Sequence, residues 1–305
     1  MNTFTKLCFL SLCLLFACQY TVADDSTPIV SDTVEYVVAN ATVCPVREDP
    51  SHAAEQATQL LFGELCEVVE RRRGWTKIRS TIDGQVGWVT SGMLSLANNP
   101  SPITFSPNAV VVTSMATANP VDGGTPLLLT LGTRLPHYAD GTFEVLGKQY
   151  IIDSTCVHVY QQSGPTANND VVQQRIDLIK MSKSLLNTPY LWGGKNAMGL
   201  DCSGFTQVLY AAIGVNILRN AREQITQGEE VSSLSETLPG DLAFFGYTNH
   251  DTQTVKITHV GLLLSPTEII HCAGGRVHID RITADGIYTS SGHKTHHLIQ
   301  IKRYL

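Results

Sequence analysis

Between about Val34 and Leu96 the chain runs in short segments in which β-branched and apolar residues alternate or bunch. Val34–Val38, Gly63–Glu70, Trp75–Ser80 and Gln85–Val89 each read as a strand, with turn-formers at Arg73-Gly74 and Asp83-Gly84. Asp83-Gly84 lies between two such runs and predicts a hairpin. Trp75, Ile78 and Trp88 are the expected core of a small barrel. A second strand-rich stretch follows, with runs at Ala109–Thr113, Pro126–Leu131, Thr142–Leu146 and Lys148–Ile152, punctuated by Gly123-Gly124, Gly132 and Asp140-Gly141. Asn98-Asn99-Pro100-Ser101-Pro102 and Ser163–Asn169 read as linkers. They divide the chain into a barrel at 34–97, a second at 107–160 and a larger unit at 171–305.

The pattern changes in the third unit. Val172, Ile176, Ile179, Leu185 and Leu186 recur at helical spacing over Val171–Leu186, with Asn169 or Asp170 as the expected cap and Pro189 as the stop. Phe205, Val208, Leu209 and Ala212 predict a second helix, ended by Gly214. Strands are expected at Leu242–Phe245, Ile257–Ser265, Glu268–Cys272, Val277–Ile282 and His297–Tyr304. Helices followed by a meander of strands make an α+β unit.

This pattern places Cys202 at a helix N-terminus, just after the Gly193-Gly194 and Met198-Gly199 turns. The unpaired N–H groups and positive dipole end there favour a thiolate, so the thiol is expected to ionise easily. A free cysteine in such a place is either a nucleophile facing a cleft or a small buried core residue. His259 and His271 fall in consecutive strands. If Ser265-Pro266-Thr267 is a three-residue loop, Leu264 pairs with Glu268 and Gly261 with His271, and the two imidazoles are diagonal neighbours on one face. Nucleophile, base and orienter are then all available. His293, His296 and His297 lack a paired cysteine or carboxylate and read as a solvated strand end, so no metal site is expected.

Composition narrows the classes. The 305 residues are 43% hydrophobic and 16% charged, which is globular, and a net charge of −6 with no basic stripe argues against nucleic acid. Arg71-Arg72-Arg73 is isolated and suits a solvated turn. Lys6, the short apolar run Leu10–Ala17 and the small residues Thr21-Val22-Ala23 predict a signal peptide over 1–23 and a secreted product. Phe16 fits a lipoprotein box at Cys18 poorly, and no later stretch is long and apolar enough to span a bilayer. Beyond the signal, Cys44, Cys66, Cys156, Cys202 and Cys272 are an odd number, so at least one is not paired within the chain; a Cys44–Cys66 bridge is compatible with export. No phosphate loop, dinucleotide fingerprint or zinc-protease helix occurs, so no cofactor is expected. The oligomeric state is not encoded in any motif.

Tyr190-Leu191-Trp192-Gly193-Gly194, Leu200-Asp201-Cys202-Ser203-Gly204-Phe205, Leu218-Arg219, Gln224, Leu238-Pro239-Gly240-Asp241-Leu242, Phe244-Phe245, His259-Val260-Gly261 and Ile270-His271 resemble, in order, the NlpC/P60 cysteine peptidases. Phe62-Gly63-Glu64, Val68-Val69-Glu70, Gly74-Trp75-Thr76-Lys77-Ile78 and Gly87-Trp88-Val89 resemble a bacterial-type SH3 domain, a module that binds wall polymer, shapes a neighbouring site or acts as a spacer. The second barrel is similar but lacks the Gly-Trp signature. The resemblance implies a papain-like catalytic domain behind two SH3-like barrels. It implies a secreted γ-D-glutamyl-L-diamino-acid endopeptidase acting on peptidoglycan stem peptides or muropeptides.

On that resemblance Cys202 is the nucleophile, His259 the general base and His271 the orienter. Tyr190 lies near the oxyanion, and Asp201 and Ser203 hold the free amine of the substrate's L-alanine. Asp201 also reads as a plain helix cap. Arg219 is either a contact for the anionic stem or a surface ion pair. Glu64 of the first barrel is the candidate acid closing the amine pocket. Asn220 and Ile217 depart tolerably from the family pattern, and Gly246–Lys256 reads as a long loop forming a lid or rim. Two other readings keep the fold: a wall-binding protein without activity, and an amidase or acyltransferase.

Overall fold

The computed structural model describes residues 34–97, 107–159, 168–249, 251–252 and 254–305. The expected signal peptide at 1–23 and the expected linker at 98–102 lie outside these residues. No helix among the described residues is long and apolar enough to cross a membrane.

The first barrel is a seven-stranded antiparallel sheet. Its order is Gln56–Leu61, Val43–Arg47, Val86–Thr90, Trp75–Ser80, Leu65–Arg72, Tyr36–Ala39 and Leu94–Leu96. Val37, Cys44, Val46, Leu60, Cys66, Ile78 and Val89 fill it. Trp88 is buried, but Trp75 is only half-buried and sits against the His52 ring, 4.9 Å away, rather than in the core. Three strands escape the sequence pattern, the short Leu94–Leu96 among them. Val43–Arg47 carries Pro45, and Gln56–Leu61 opens with polar residues whose side chains meet another unit. Cys44 and Cys66 are buried free thiols, not a bridge.

The second barrel joins a four-stranded sheet, ordered Leu127–Thr130, Met115–Pro120, Lys148–Ile152 and Thr142–Val145, to a three-stranded one, ordered Arg134–Pro136, Pro107–Val111 and Val157–Val159. Its core includes Val38, Phe62 and Leu65 from the first barrel, beside Ala109, Leu129 and Phe143. Residues of the first barrel therefore complete the core of the second, while the first keeps a separate core of its own.

In the third unit, helix α1 spans Asn168–Ser184, so Asn169 and Asp170 lie inside it rather than capping it. Helix α2 is Cys202–Ala212 and α3 is Ala221–Gln224. Gly214, at φ 83°, follows the end of α2. The sheet order is Glu229–Val231, Lys294–Arg303, Leu242–Thr248, Val255–Ser265, Glu268–Ala273, Arg276–Thr283, Gly286–Tyr288, and the last strand pairs back onto Lys294–Arg303. Phe244, Leu262 and Ile270 pack towards the helices with Phe205 and Leu209. Phe245, Leu263, Ile269, Ile287 and Ile301 fill the opposite face. Burial on both faces explains why these strands are apolar runs instead of alternating ones.

Two local expectations change. Leu262 pairs with Ile270 as expected, but Ser265 pairs with Glu268 through a bulge at Leu264, so the connection is a two-residue turn at Pro266-Thr267. The segment 246–256 is not a long loop. Tyr247 pairs with Lys256 and Thr248 with Val255, so it is a hairpin extension of the sheet.

The first barrel docks on the catalytic unit through buried polar groups. Gln59 Oε1 accepts from the Lys195 N–H and from Asn196 Nδ2, both at 2.8 Å. Lys195 Nζ donates to both carboxylate oxygens of Glu64, at 2.8 and 3.0 Å, with both side chains buried. A buried pair stripped of one partner leaves an uncompensated charge, which costs about 3–5 kcal/mol. Glu64→Ala is therefore expected to lose stability of that order in urea denaturation, and Glu64→Leu with Lys195→Met is expected to recover most of it.

Candidate active site

The site is assembled around one carboxylate. Asp201 caps α2, its Oδ1 accepting the Gly204 N–H at 2.6 Å. Its Oδ2 accepts the Gly193 N–H at 3.0 Å. Arg219 donates to both oxygens, from Nη1 to Oδ1 at 3.0 Å and from Nη2 to Oδ2 at 2.6 Å, and from Nη1 to Ser203 Oγ at 3.0 Å. Arg219 Nε donates to Thr58 Oγ1 in the first barrel at 2.7 Å. One bidentate ion pair thus joins the helix that carries Cys202, the Gly193-Gly194 turn and the neighbouring barrel. Gly204 has to be glycine, since a Cβ would collide with the Gly194 carbonyl oxygen.

Cys202 is the first residue of α2, where helix N–H groups have no partner inside the helix. It lines a cleft of about 650 Å³ together with Tyr190, His259, Cys272 and His296. The candidate nucleophile and the candidate base therefore share one groove. The thiol is nevertheless pushed up to about 11, first by burial and next by the Asp201 charge, with the Val260 and Ser203 backbone groups and Arg219 acting the other way. The helix end pulls as expected, but desolvation outweighs it. Burial also lowers His259, helped by His271, His296 and His278. Burial thus works against charge on both the thiol and the imidazole.

His259 pairs directly across the sheet from Phe245, and its Nε2 lies 2.8 Å from His271 Nδ1. His271 Nε2 lies 3.3 Å from Asp280 Oδ2. One tautomer satisfies the row: His259 Nε2–H donates to His271 Nδ1, and His271 Nε2–H donates to Asp280. His259 Nδ1 is then left without a proton. Asp280 was not legible as part of the row, because it lies in a strand, Arg276–Thr283, whose partner face cannot be fixed before its register is known. His296 is likewise not a solvated strand end. Its ring stacks on His259 at 4.3 Å and lines the cleft, pushed down to about 4 chiefly by burial.

The remaining expected site residues divide. Tyr190 lines the cleft near Cys202, and burial raises its hydroxyl well above its ordinary value, so it stays a proton donor. Asp201 and Ser203 border the cleft, though both are already engaged by Arg219. Arg219 is neither a substrate contact nor a surface pair; it is buried, and the cations that do line the cleft are Arg222 and Lys256. Glu64 is spent on Lys195 away from the cleft. The acids that the first barrel brings to it are Glu48 and Glu55, beside Ala57 and Gln85.

A cysteine at a helix start, facing an imidazole from a distant strand held by a second imidazole, defines a papain-like cysteine peptidase. Residues 187–295 match the model of the NlpC/P60 family, and residues 46–94 match one described as a bacterial dipeptidyl-peptidase Sh3 domain. The chain is 31% identical over 226 residues to a γ-D-glutamyl-L-lysine dipeptidyl-peptidase of Bacillus subtilis, covering 70% of this chain and 71% of that one. It is 28% identical to a protein of the same description from Bacillus cereus, covering 72% and 68%. A crystal structure of an NlpC/P60 family protein from Bacillus cereus shares the fold, with a TM-score of 0.72 at 22% identity over 88% of this chain and 99% of that one. This chain belongs to the NlpC/P60 family and is a cysteine peptidase.

The buried imidazoles make stability pH-dependent. Burial lowers His259, His271 and His296 from the ordinary value of about 6.5. Above that pH both folded and unfolded chains hold them neutral. Below it the unfolded chain takes up protons that the fold excludes, so stability falls as pH drops from about 6.5 towards about 4, the His296 value. Thermal melting should show Tm declining across that window, and His296→Gln should flatten the decline. A Tm that does not change with pH there counts against neutral burial.

Proposed function

We propose that this peptidase hydrolyses the bond between γ-D-glutamate and the diamino acid, lysine or meso-diaminopimelate, in peptidoglycan stem peptides. The observation that carries the reading is the shared groove: Cys202, His259 and Tyr190 face one cleft whose other wall, Glu48 and Glu55, comes from the first barrel. The names of the two Bacillus relatives point to the same bond. The leader-like residues 1–23 fit an exported enzyme meeting its substrate in the wall.

In the proposed reaction His259 Nδ1 takes the Cys202 proton as sulfur attacks the carbonyl carbon. The tetrahedral oxyanion is held by the Cys202 N–H and the Tyr190 hydroxyl. His259 then protonates the leaving amine, and water hydrolyses the thioester along the reverse path. His271 and Asp280 fix the tautomer that keeps His259 Nδ1 open. The anionic stem meets Arg222 and Lys256, while Glu48 and Glu55 offer negative charge to a free L-alanine amine, the role expected of Glu64.

Cys202→Ala is expected to abolish cleavage of a muropeptide with the fold intact by circular dichroism; undiminished turnover would remove the mechanism. Tyr190→Phe should lower kcat by about 10²–10³ if its hydroxyl is an oxyanion donor. Stem tripeptide with a free amine should be cut far faster than its N-acetylated form, and Glu48→Gln with Glu55→Gln should shrink that ratio mainly through KM. Equal rates on both substrates would refute the amine pocket and leave the chemistry standing.

A further inference from the structure

Behind the orienting histidine stands His278, which the peptidase reaction does not use, beside His271 and Asp280, which it does. His271, His278 and Asp280 each offer one ligand atom, and all three atoms lie within 4.8 Å of one another. His278 Nε2 is 3.2 Å from Asp280 Oδ2, and His271 Nε2 is 3.3 Å from the same oxygen. A tetrahedral zinc ion with bonds of about 2.0–2.1 Å sets its ligand atoms about 3.3 Å apart. Two edges of that tetrahedron are therefore already present.

The second observation is the state of His278. Its Nδ1 lies 2.9 Å from the Arg276 carbonyl oxygen and can only donate to it. That bond puts the proton on Nδ1 and turns the Nε2 lone pair towards an Asp280 oxygen that is itself an acceptor. Two facing lone pairs are reconciled only by a proton or a metal ion between them. A histidine whose far nitrogen is fixed by a backbone carbonyl is also the usual form of a metal ligand. The atoms border a cavity of about 430 Å³ that reaches Thr289, Thr295 and His296, so the fourth position can hold water.

We propose that His271, His278 and Asp280 form an inhibitory zinc site that switches the peptidase off by changing the tautomer of its base. Zinc takes His271 Nε2, whose proton leaves to water. The proton on His259 Nε2 shifts to His271 Nδ1, and His259 regains a proton from water at Nδ1. The protons on the His259 and His271 rings are unchanged in number, the one held between His278 Nε2 and Asp280 is released to water as zinc binds, and His259 now presents an N–H to the thiol instead of a lone pair. It can no longer accept the Cys202 proton. Two histidines and a carboxylate with one open position suit zinc over the hard cations calcium and magnesium, which prefer oxygen.

The inhibitory half rests on the assignment of Cys202 and His259 above; the binding half does not. The test is to titrate Zn²⁺ into the purified chain against a chromophoric chelator and to follow muropeptide cleavage in parallel. The wild type and Cys202→Ala should each bind one equivalent, and His278→Ala and His278→Gln should bind about tenfold more weakly or worse. Saturating Zn²⁺ should slow wild-type cleavage by about 100-fold, the scale of losing a general base, and should slow the His278 variants much less relative to their own zinc-free rates. Binding lost in Cys202→Ala but kept in the His278 variants would place the metal on the thiol and overturn the proposal, as would no binding at all. Tight binding without inhibition would overturn the tautomer switch. A chain inactive even without zinc would count against the proposed function, while the chelator titration still decides the site.

Discussion

The structure depends on the Asp201–Arg219 ion pair. It ties together the elements around Cys202 on the helix side: the first turn of α2, the Gly193-Gly194 turn, Ser203, and Thr58 of the first barrel. Two charges out of water are costly on their own. Here the carboxylate accepts from two backbone N–H groups as well as both guanidinium nitrogens, and the guanidinium also reaches Thr58 and Ser203. The desolvation cost is offset by a filled set of hydrogen bonds, and the result is a fixed position for Cys202. The same pair explains why the first barrel behaves as a wall of the catalytic cleft and not as a spacer: a residue of the catalytic unit donates directly into it.

A second constraint follows from burial. A helix N-terminus favours a thiolate, yet the same packing that places Cys202 removes the water that would stabilise one. The two effects oppose, and desolvation is the larger. The same burial acts on His259, which packs against the His271 and His296 rings with little solvent. On the proposed mechanism, catalytic competence then rests on the orientation of the His259 ring more than on a standing ion pair. That places weight on the residues that fix the ring, His271 and Asp280, and on the stacked His296.

Much of this was readable along the chain because local rules governed it. Cys202 could be put at a helix start from the glycine turns before it and the 3.6-residue repeat after it. His259 and His271 could be put on one face because strand parity and a short loop survive small errors in the turn, as the bulge at Leu264 showed. What could not be read depended on tertiary contacts. Glu64 and Arg219 carry charge, and the ordinary expectation for charge is solvent or substrate; both are instead buried against partners more than 15 positions away in sequence. Gln56–Leu61 looked too polar for a strand because its polar groups face another unit. Glu48, Glu55 and His296 reach the cleft, and Asp280 the row behind His259, only through docking and sheet closure, which leave no periodic signature.

Sheet closure also accounts for the concentration of histidines. The strand Lys294–Arg303 pairs with both Leu242–Thr248 and Gly286–Tyr288, which carries His296 back over the base. An open sheet would leave this ring in water and His259 more easily protonated. Closed, it shields one edge of the base while Asp280 anchors the other through His271. Base strength and base orientation are thus set by different strands: one group excludes water, the other holds the proton on Nε2. The catalytic imidazole is tuned by where the sheet ends as much as by the residues beside it in sequence.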